Sequence, residues 1–220
     1  MSMPARVVVM LSGSGSNLQA ILDATASRHF PAEIVGVISD KPEAYGLERA
    51  RSATIPTHCV ERSAYSSRAE FENGLEAAID TLDPDYVVLA GFMRILRGDL
   101  PRRFAGRMLN IHPSLLPKHK GLDTHQRALD EGDIEHGCTV HFVTSELDAG
   151  PGIIQATLLV GDTSDADTLA RRVLQLEHVI YPMALRWLAE GRLRSSGERI
   201  LLDGLPLDEP VVMSADTLLG

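Results

Sequence analysis

The first hydrophobic pattern of the chain is a continuous apolar run followed by a periodic one. Residues 6–11 are mostly apolar and include the β-branched residues Val7, Val8 and Val9, and a stretch of serine, glycine and one asparagine, residues 12–17, follows them directly. Beyond that stretch Leu18, Ile21 and Leu22 recur at helical spacing. A short apolar run is typical of a buried strand, and the later spacing is typical of an amphipathic helix. The pattern therefore predicts a strand, a glycine-rich loop and a helix in that order.

Strand and helix patterns continue to alternate along the first half of the chain. Strands are predicted at residues 32–38, 55–60, 86–90 and 108–112, and helices at residues 47–53 and 67–82. Strands that alternate with helices are typical of a parallel sheet covered by helices on both faces. We therefore expect an α/β fold with a mostly parallel, twisted sheet.

The second half predicts a different strand arrangement. A helix at residues 124–131 precedes two strands, at residues 138–143 and 153–159, whose short separation favours antiparallel pairing and a mixed sheet in the C-terminal part. Asp165 or Asp167 is expected to cap a long amphipathic helix that ends near residue 190. We expect one domain over residues 1–203, with a weak strand at residues 200–202, and an irregular tail over residues 204–220.

Charge and composition narrow the class of function. The chain has 220 residues and a formal net charge of -9, which disfavours non-specific binding to nucleic acid. No stretch reaches the ~20 apolar residues of a membrane helix, and the N-terminus lacks a secretory signal pattern. Cys59 and Cys138 have neither CxxC spacing nor the density of a disulfide scaffold. We expect a cytoplasmic protein with no nucleic-acid or membrane partner.

The glycine-rich loop has the composition of an anion site. Main-chain amides of a tight turn and the positive end of a helix both favour a phosphate. Gly13 and Gly15 begin a GxGxxG pattern, but Leu18 occupies its third glycine position, and no Walker lysine follows. A mononucleotide is therefore favoured over a dinucleotide. A plain strand-to-helix turn capped by Ser16 or Asn17 remains an equal alternative.

Three polar residues form the candidate catalytic group. In a strand, Asn110 and His112 project to the same face, and the two prolines after them predict a rigid, extended turn. Ligands of open parallel sheets bind beyond the carboxyl ends of the strands. With Asp148 from a glycine-rich turn, the group suits acyl transfer: an amide for an oxyanion, an imidazole for protons and a carboxylate to orient that imidazole. A structural polar pair and an ordinary turn residue are the alternatives.

Nucleophilic and metal chemistry are less favoured by the sequence. Ser114 lacks the GxSxG elbow of a nucleophilic serine. Histidines are frequent in the second half, but none has HExxH or another compact ligand spacing, so no metal is predicted. Among them are His112, His119, His125, His136 and His141.

Several segments together resemble a known family. The segments are Ser12 to Ala20, Gly46 to Ala50, Val88 to Leu96, Leu109 to Pro117 and His141 to Pro151. On these segments the chain resembles the folate-dependent phosphoribosylglycinamide formyltransferases of purine synthesis. The resemblance implies a single formyltransferase catalytic domain over residues 1–203, with a mononucleotide-binding α/β fold. It also implies two small-molecule substrates, glycinamide ribonucleotide and the co-substrate 10-formyltetrahydrofolate.

The resemblance implies a role for individual residues. Asn110, His112 and Asp148 would be catalytic. Ribonucleotide contacts are implied for Gly15, Ser16, Asn17 and Glu177. Folate contacts are implied for Arg68, Met93, Arg94, Ile95, Leu96 and Asn110.

The chain departs from the family pattern in one loop, and two other functions stay open. Lys118, His119 and Lys120 replace the aromatic residue and proline common after Leu-Leu-Pro, and Asp123 replaces a usual histidine. Methionyl-tRNA formyltransferases resemble the same core, although the short tail after residue 203 favours the purine enzyme. A non-catalytic sensor of nucleotide phosphates is the other alternative. We expect a monomer or a homodimer.

Overall fold

The structure is a computed structural model that describes residues 3–27, 29–97, 99–162, 165–196 and 199–220. By internal packing the chain divides into two compact units, Met1–Leu109 and Asn110–Gly220. In the described ranges no helix is both long and apolar enough to cross a membrane.

The first unit alternates strands and helices. Its elements are β1 (Ala5–Leu11), α1 (Ser16–Thr25), β2 (Ala32–Ser39), α2 (Tyr45–Ser52), β3 (Thr57–Cys59), α3 (Arg68–Leu82), β4 (Tyr86–Leu89), α4 (Asp99–Arg103) and the start of β5 (Met108–His112). Strands β4, β1, β2 and β3 lie side by side in that order, and all their pairings are parallel. The parallel α/β arrangement predicted for this half is confirmed.

Burial explains why the first strand is apolar from Val7 to Leu11. Residues 7–11 of β1 are fully buried, and β1 has β2 on one side and β4 on the other. A parallel strand buried on both faces has no polar side to alternate with. The helix predicted at residues 67–82 is also confirmed as α3, whose N-cap Ser67 accepts a hydrogen bond from the Glu70 amide.

The second unit contains the mixed part of the fold. After β5 come α5 (Thr124–Asp130), β6 (Glu135–Phe142), β7 (Gly152–Leu159), α6 (Ala166–Ala189), β8 (Leu193–Ser196), β9 (Arg199–Leu202), β10 (Leu205–Pro206), β11 (Val211–Ser214) and α7 (Ala215–Leu219). Strands β11, β7, β6 and β5 are neighbours in that order, and β6 pairs antiparallel with β7 as predicted. Strands β8, β9 and β10 form a separate antiparallel sheet.

The prediction of an irregular segment over residues 204–220 is wrong. Strand β11 pairs in parallel with residues 154–157 of β7, and α7 follows it. β11 is only four residues long, and exposed Val212 and Ser214 alternate with half-buried Val211 and Met213. Its strand conformation depends on pairing with a segment more than fifty residues earlier. A four-residue pattern after Pro210 gives no local sign of that pairing.

Candidate active site

The glycine loop of the first unit requires glycine at Gly15. Gly15 has φ +70° and precedes α1 as its N-cap, with no side-chain capping hydrogen bond, so the alternative of a Ser16 or Asn17 cap is wrong. A Cβ atom on Gly15 would lie 2.6 Å from the Cα atom of Gly46. Both the left-handed backbone and the close approach exclude larger side chains without strain.

Side-chain and main-chain contacts hold the loop around the start of α1. The Gly46 amide donates to the Gly13 carbonyl at 3.0 Å, and Arg49 Nε donates to the Ser14 carbonyl at 2.9 Å. The first amides of an α-helix have no partner inside the helix. The loop therefore fixes the N-terminal end of α1, the element that favours an anion.

The segment after β4 is tied to the same loop. The Ser12 amide donates to the Gly91 carbonyl at 3.0 Å, and the Ser12 hydroxyl accepts from the Met93 amide at 2.8 Å. Leu96 is buried, whereas the side chains of Met93 and Ile95 are exposed. This part of the first unit therefore presents apolar surface beside polar main chain.

Two arginines with predicted folate contacts hold this segment through acidic partners. Arg94 Nε donates to the fully buried carboxylate of Asp40 at 2.6 Å. Arg68 Nε donates to Glu72 at 2.7 Å, and Arg68 also donates to the Ile95 carbonyl. Glu72 in turn accepts from the Arg97 amide at 3.1 Å. Both arginines therefore fix the backbone of residues 93–97.

In the second unit His141 orients the amide of Asn110. Asn110 Nδ2 lies 3.1 Å from His141 Nε2, and His141 Nδ1 lies 2.9 Å from the Phe142 carbonyl. The carbonyl can only accept, so Nδ1 carries the proton and Nε2 accepts from the amide. Burial lowers the pKa of His141 to about 4, although the Phe142 carbonyl and Asp148 oppose that shift. His141 is therefore neutral at pH 7 and fixes the amide orientation.

His112 lies between two acceptors. Its Nδ1 atom is 3.4 Å from Asp148 Oδ2, and its Nε2 atom is 2.9 Å from the His119 carbonyl. Asp148 has φ +48°, and its Oδ2 atom also accepts from the Gly121 amide at 2.9 Å. The side chains of His112 and Asp148 are 8% and 7% exposed. The predicted imidazole and carboxylate are thus brought together in a nearly dry environment.

The chain after β5 turns instead of leaving the strand extended. The Ser114 amide donates to the His112 carbonyl at 2.9 Å, and the Lys118 amide donates to the Leu115 carbonyl at 3.1 Å. Thr139 accepts from the Leu116 amide and donates to the Ser114 carbonyl. The predicted turn is therefore present, but it is folded and not extended, because the Thr139 side chain of β6 hydrogen-bonds to its main chain.

The predicted residues fall into both units. Gly15, Ser16, Asn17, Arg68 and residues 93–96 belong to the first unit, and Asn110, His112, Asp148 and Glu177 belong to the second. Glu177 is buried on α6, and its charge adds to burial in raising the pKa of the Cys138 thiol. Sequence reasoning missed His141 and His119. The sequence signal that could have indicated a role for His141 is its position at the end of β6, shortly before the Asp148 turn.

Among the residues that the structure describes, no group of three His, Cys, Asp or Glu side chains is arranged to hold a metal ion.

Comparison with known proteins identifies the family. A family model described as formyl transferase matches residues 5–185. The phosphoribosylglycinamide formyltransferase of Escherichia coli is 50% identical over 198 residues, which are 90% of this chain and 93% of that protein. The human trifunctional purine biosynthetic protein adenosine-3 is 44% identical over 190 residues, 86% of this chain and 19% of that protein.

A solved structure gives the same result. The phosphoribosylglycinamide formyltransferase from Coxiella burnetii superposes with a TM-score of 0.89 and 48% identity, covering 94% of this chain and 99% of that one. The family model spans most of the chain, and half of the aligned positions are identical to those of a relative of similar length. The chain belongs to the formyl transferase family.

Proposed function

We propose that this chain transfers the formyl group of 10-formyltetrahydrofolate to the amine of glycinamide ribonucleotide in de novo purine biosynthesis. The family and the names of its relatives support this reaction. The observation that carries the proposal for this chain is the arrangement around His112, whose ring lies 3.4 Å from the Asp148 carboxylate in a buried setting. An imidazole beside a carboxylate and an oriented amide suits acyl transfer between nitrogen atoms.

The proposed reaction is direct attack, with no covalent enzyme intermediate. The amine nitrogen bonds to the formyl carbon, and the electron pair of the C=O bond moves to its oxygen. Asn110 donates one amide hydrogen to that oxyanion while the other stays on His141, since an amide nitrogen carries two donors. The bond from the formyl carbon to the folate nitrogen then breaks.

Proton movement is assigned to His112. The attacking amine loses a proton as it becomes an amide, and the folate nitrogen gains one as it leaves. Protonated His112 helps to stabilise the oxyanion and mediates this transfer, so no net proton is consumed. Asp148 keeps the ring oriented and compensates its charge, and the Gly121 amide keeps Asp148 in place.

The substrate contacts are proposed from the resemblance and the local geometry. The ribonucleotide phosphate is assigned to Gly15, Ser16 and Asn17 at the start of α1, where the loop fixes a helix N-terminus. Glu177 is assigned to the ribose. The folate is assigned to the segment Met93, Arg94, Ile95 and Leu96, with Asn110 and Arg68.

Organisation and location complete the proposal. We assign catalysis to residues 1–203 acting as one domain, in a cytoplasmic protein that is a monomer or a homodimer. Light scattering during gel filtration measures the oligomeric state directly.

One assay tests the reaction against its rivals. The protein is incubated with 10-formyltetrahydrofolate and, in parallel, with glycinamide ribonucleotide, initiator methionyl-tRNA or no acceptor. We expect tetrahydrofolate and formylated ribonucleotide only in the first mixture. Formylation of the tRNA, or binding of the ribonucleotide without any product, contradicts the proposal.

A further inference from the structure

The Nε2 edge of the His112 ring is held by main chain. Nε2 lies 2.9 Å from the carbonyl oxygen of His119, which can only accept, so Nε2 carries a proton. His112 is buried, with a side chain 8% exposed. This hydrogen bond fixes the plane of the ring and places the Nε2 edge against the loop.

The opposite edge of the ring faces the other predicted catalytic groups. Nδ1 lies 3.4 Å from Asp148 Oδ2, and Asp148 Oδ1 lies 3.9 Å from His141 Nε2. His141 Nε2 in turn receives the Asn110 amide. The Nδ1 edge of His112, the Asp148 carboxylate and the Asn110 amide held by His141 therefore lie close together.

The His119 carbonyl is held in place by the His119 side chain. His119 is buried and has φ +52°, a conformation that few residues other than glycine adopt. Its Nε2 atom lies 2.7 Å from Asp133 Oδ2. The contact with Asp133 therefore holds the side chain of a residue whose backbone has a positive φ.

Asp133 is a fixed and charged anchor. Its amide donates to the Ala128 carbonyl at the end of α5, which places it independently of the loop. Its other carboxylate oxygen accepts from Lys118 Nζ at 2.7 Å. Hydrogen bonds from Lys118 and His119 lower the pKa of Asp133, so the carboxylate is ionised at neutral pH. The side chains of Asp133 and His119 are 9% and 2% exposed.

We propose that His119 and Asp133 are a positioning pair for the formyl transfer: the pair fixes the His119 carbonyl, which holds His112 Nε2 and presents the Nδ1 edge for proton transfer. This inference rests on the proposed function. It assigns a role to a loop in which this chain departs from the pattern of the family it resembles.

Two substitutions of His119 separate the hydrogen bond from the backbone conformation. His119→Gln places an amide donor near the position of the imidazole Nε2 atom and can still donate to Asp133. His119→Asn is too short to do so, but asparagine tolerates a positive φ better than glutamine. We expect His119→Asn and Asp133→Asn to lower kcat about tenfold, because a misoriented acid–base group loses part of its effect. We expect His119→Gln to stay within about threefold of the unchanged protein.

The matched control is Asp130→Asn. It removes an exposed carboxylate at the end of the same helix, where Asp130 accepts a hydrogen bond from the Gln126 side chain at 2.8 Å. We expect its kcat to be unchanged. The KM for glycinamide ribonucleotide should change by less than about twofold in all four variants, because the pair acts on His112 and not on binding.

A direct measurement of His112 distinguishes positioning from general loss of structure. With 15N-labelled histidine in the substrate-free protein, Nε2 of His112 should report a hydrogen-bonded proton in the unchanged protein and in His119→Gln. The signal should change in His119→Asn and Asp133→Asn. An unchanged His112 signal in those two variants overturns the inference, as does equal kcat in the Gln and Asn variants. A rise in kcat would mean that the carbonyl restrains His112, and overturns it too.

Failure of the inference is distinguishable from failure of the proposed function. The nitrogen signals of His112 are measured without substrate, so they test the pair even where no formyl transfer occurs. Transfer that survives His112→Ala rejects the assignment of His112 whatever the pair does.

Discussion

The conformation of the glycine loop, residues 12–17 of the first unit, is fixed in one way. The histidine cluster of the second unit, which consists of His112, His119 and His141 with Asp148, is fixed in another. Gly15 is set by its left-handed backbone and by the approach of Gly46, where a Cβ atom would come within 2.6 Å of main chain. His112, by contrast, is set by a hydrogen bond to the His119 carbonyl and by the Asp148 carboxylate 3.4 Å from its Nδ1 atom. The conformation of the glycine loop depends on the absence of side-chain atoms at Gly15. The geometry of the histidine cluster depends on which ring nitrogens and oxygens carry protons.

In the proposed function this difference separates recognition of the ribonucleotide from the chemistry of transfer. A loop that is fixed by shape can present main-chain amides to an anion without titrating. A buried group of histidine and carboxylate side chains can move protons, but its geometry changes when one member changes charge. Substitutions that add volume should therefore damage the first region, and substitutions or pH changes that alter charge should damage the second.

Removal of the second region's acid–base pair should give the largest effect. We expect His112→Ala and Asp148→Ala each to lower kcat by about 10²–10⁴-fold, because the proposed proton transfer and oxyanion stabilisation depend on the oriented ring. The affinity for glycinamide ribonucleotide, measured by calorimetry, should change far less. His58→Ala, on β3 of the first unit, is the control and should retain turnover. Turnover near that of the unchanged protein in either variant rejects the catalytic assignment.

Added volume in the first region should give the next largest effect. Gly15→Ala introduces a Cβ atom against the Gly46 backbone at φ +70°, so we expect a loss of about 3 kcal/mol in the free energy of unfolding. Ribonucleotide affinity should fall as well. Gly13→Ala is the matched control, because a Cβ atom there would meet no other atom within 4 Å. Chemical denaturation measures the free energy of unfolding of both variants. Equal stability of the two variants would show that the loop is not fixed by shape.

The sequence predicts local features of the fold well and long-range ones poorly. The run at β1 and the helical spacing in α1 are local periods, and Asp165 does cap α6 through the amides of Asp167 and Thr168. The conformation of β11 could not be predicted, because it depends on pairing with β7. The short helix α4 was also missed, since five residues contain too little periodicity.

In the candidate site, too, local features could be predicted from the sequence and long-range contacts could not. The period of two predicts that Asn110 and His112 share a face, and the turn at Asp148 follows from its composition. The roles of His141 and His119 could not be predicted, because each depends on which distant atom contacts one ring nitrogen or one carbonyl. A hydrogen bond to a main-chain carbonyl gives no recognisable sequence pattern.

Acid should destabilise the second region through His141. Burial, the largest cause, lowers its folded pKa to about 4, whereas the unfolded value is near 6.5. The unfolded chain therefore binds the extra proton first, and stability from this group is full above pH 6.5 and falls as the pH drops towards 4. We expect a loss of about 2 kcal/mol from this group at pH 5.

A His141 variant and a control variant isolate the contribution of His141 to the pH dependence of stability. Denaturation of His141→Gln should show a flatter dependence on pH between about 6.5 and 4 than the unchanged protein does. His58→Gln, on β3 of the first unit, is the matched control for the substitution itself. Parallel curves for the His141 variant and the unchanged protein would contradict a neutral buried His141.

The smallest effect should come from the side chains that support the first region. Glu72 accepts from Arg68 and from the Arg97 amide, so Glu72→Gln should loosen residues 93–97 and raise the KM for 10-formyltetrahydrofolate about fivefold, or roughly 1 kcal/mol. Because the segment is proposed to bind folate and not to move protons, kcat should stay within about twofold. Glu70→Gln, which removes an exposed charge from the same helix, is the control. Steady-state kinetics measure both constants. A fall in kcat with an unchanged KM would show that this segment takes part in the chemistry. The proposed division between binding by the first region and chemistry by the second would then be wrong.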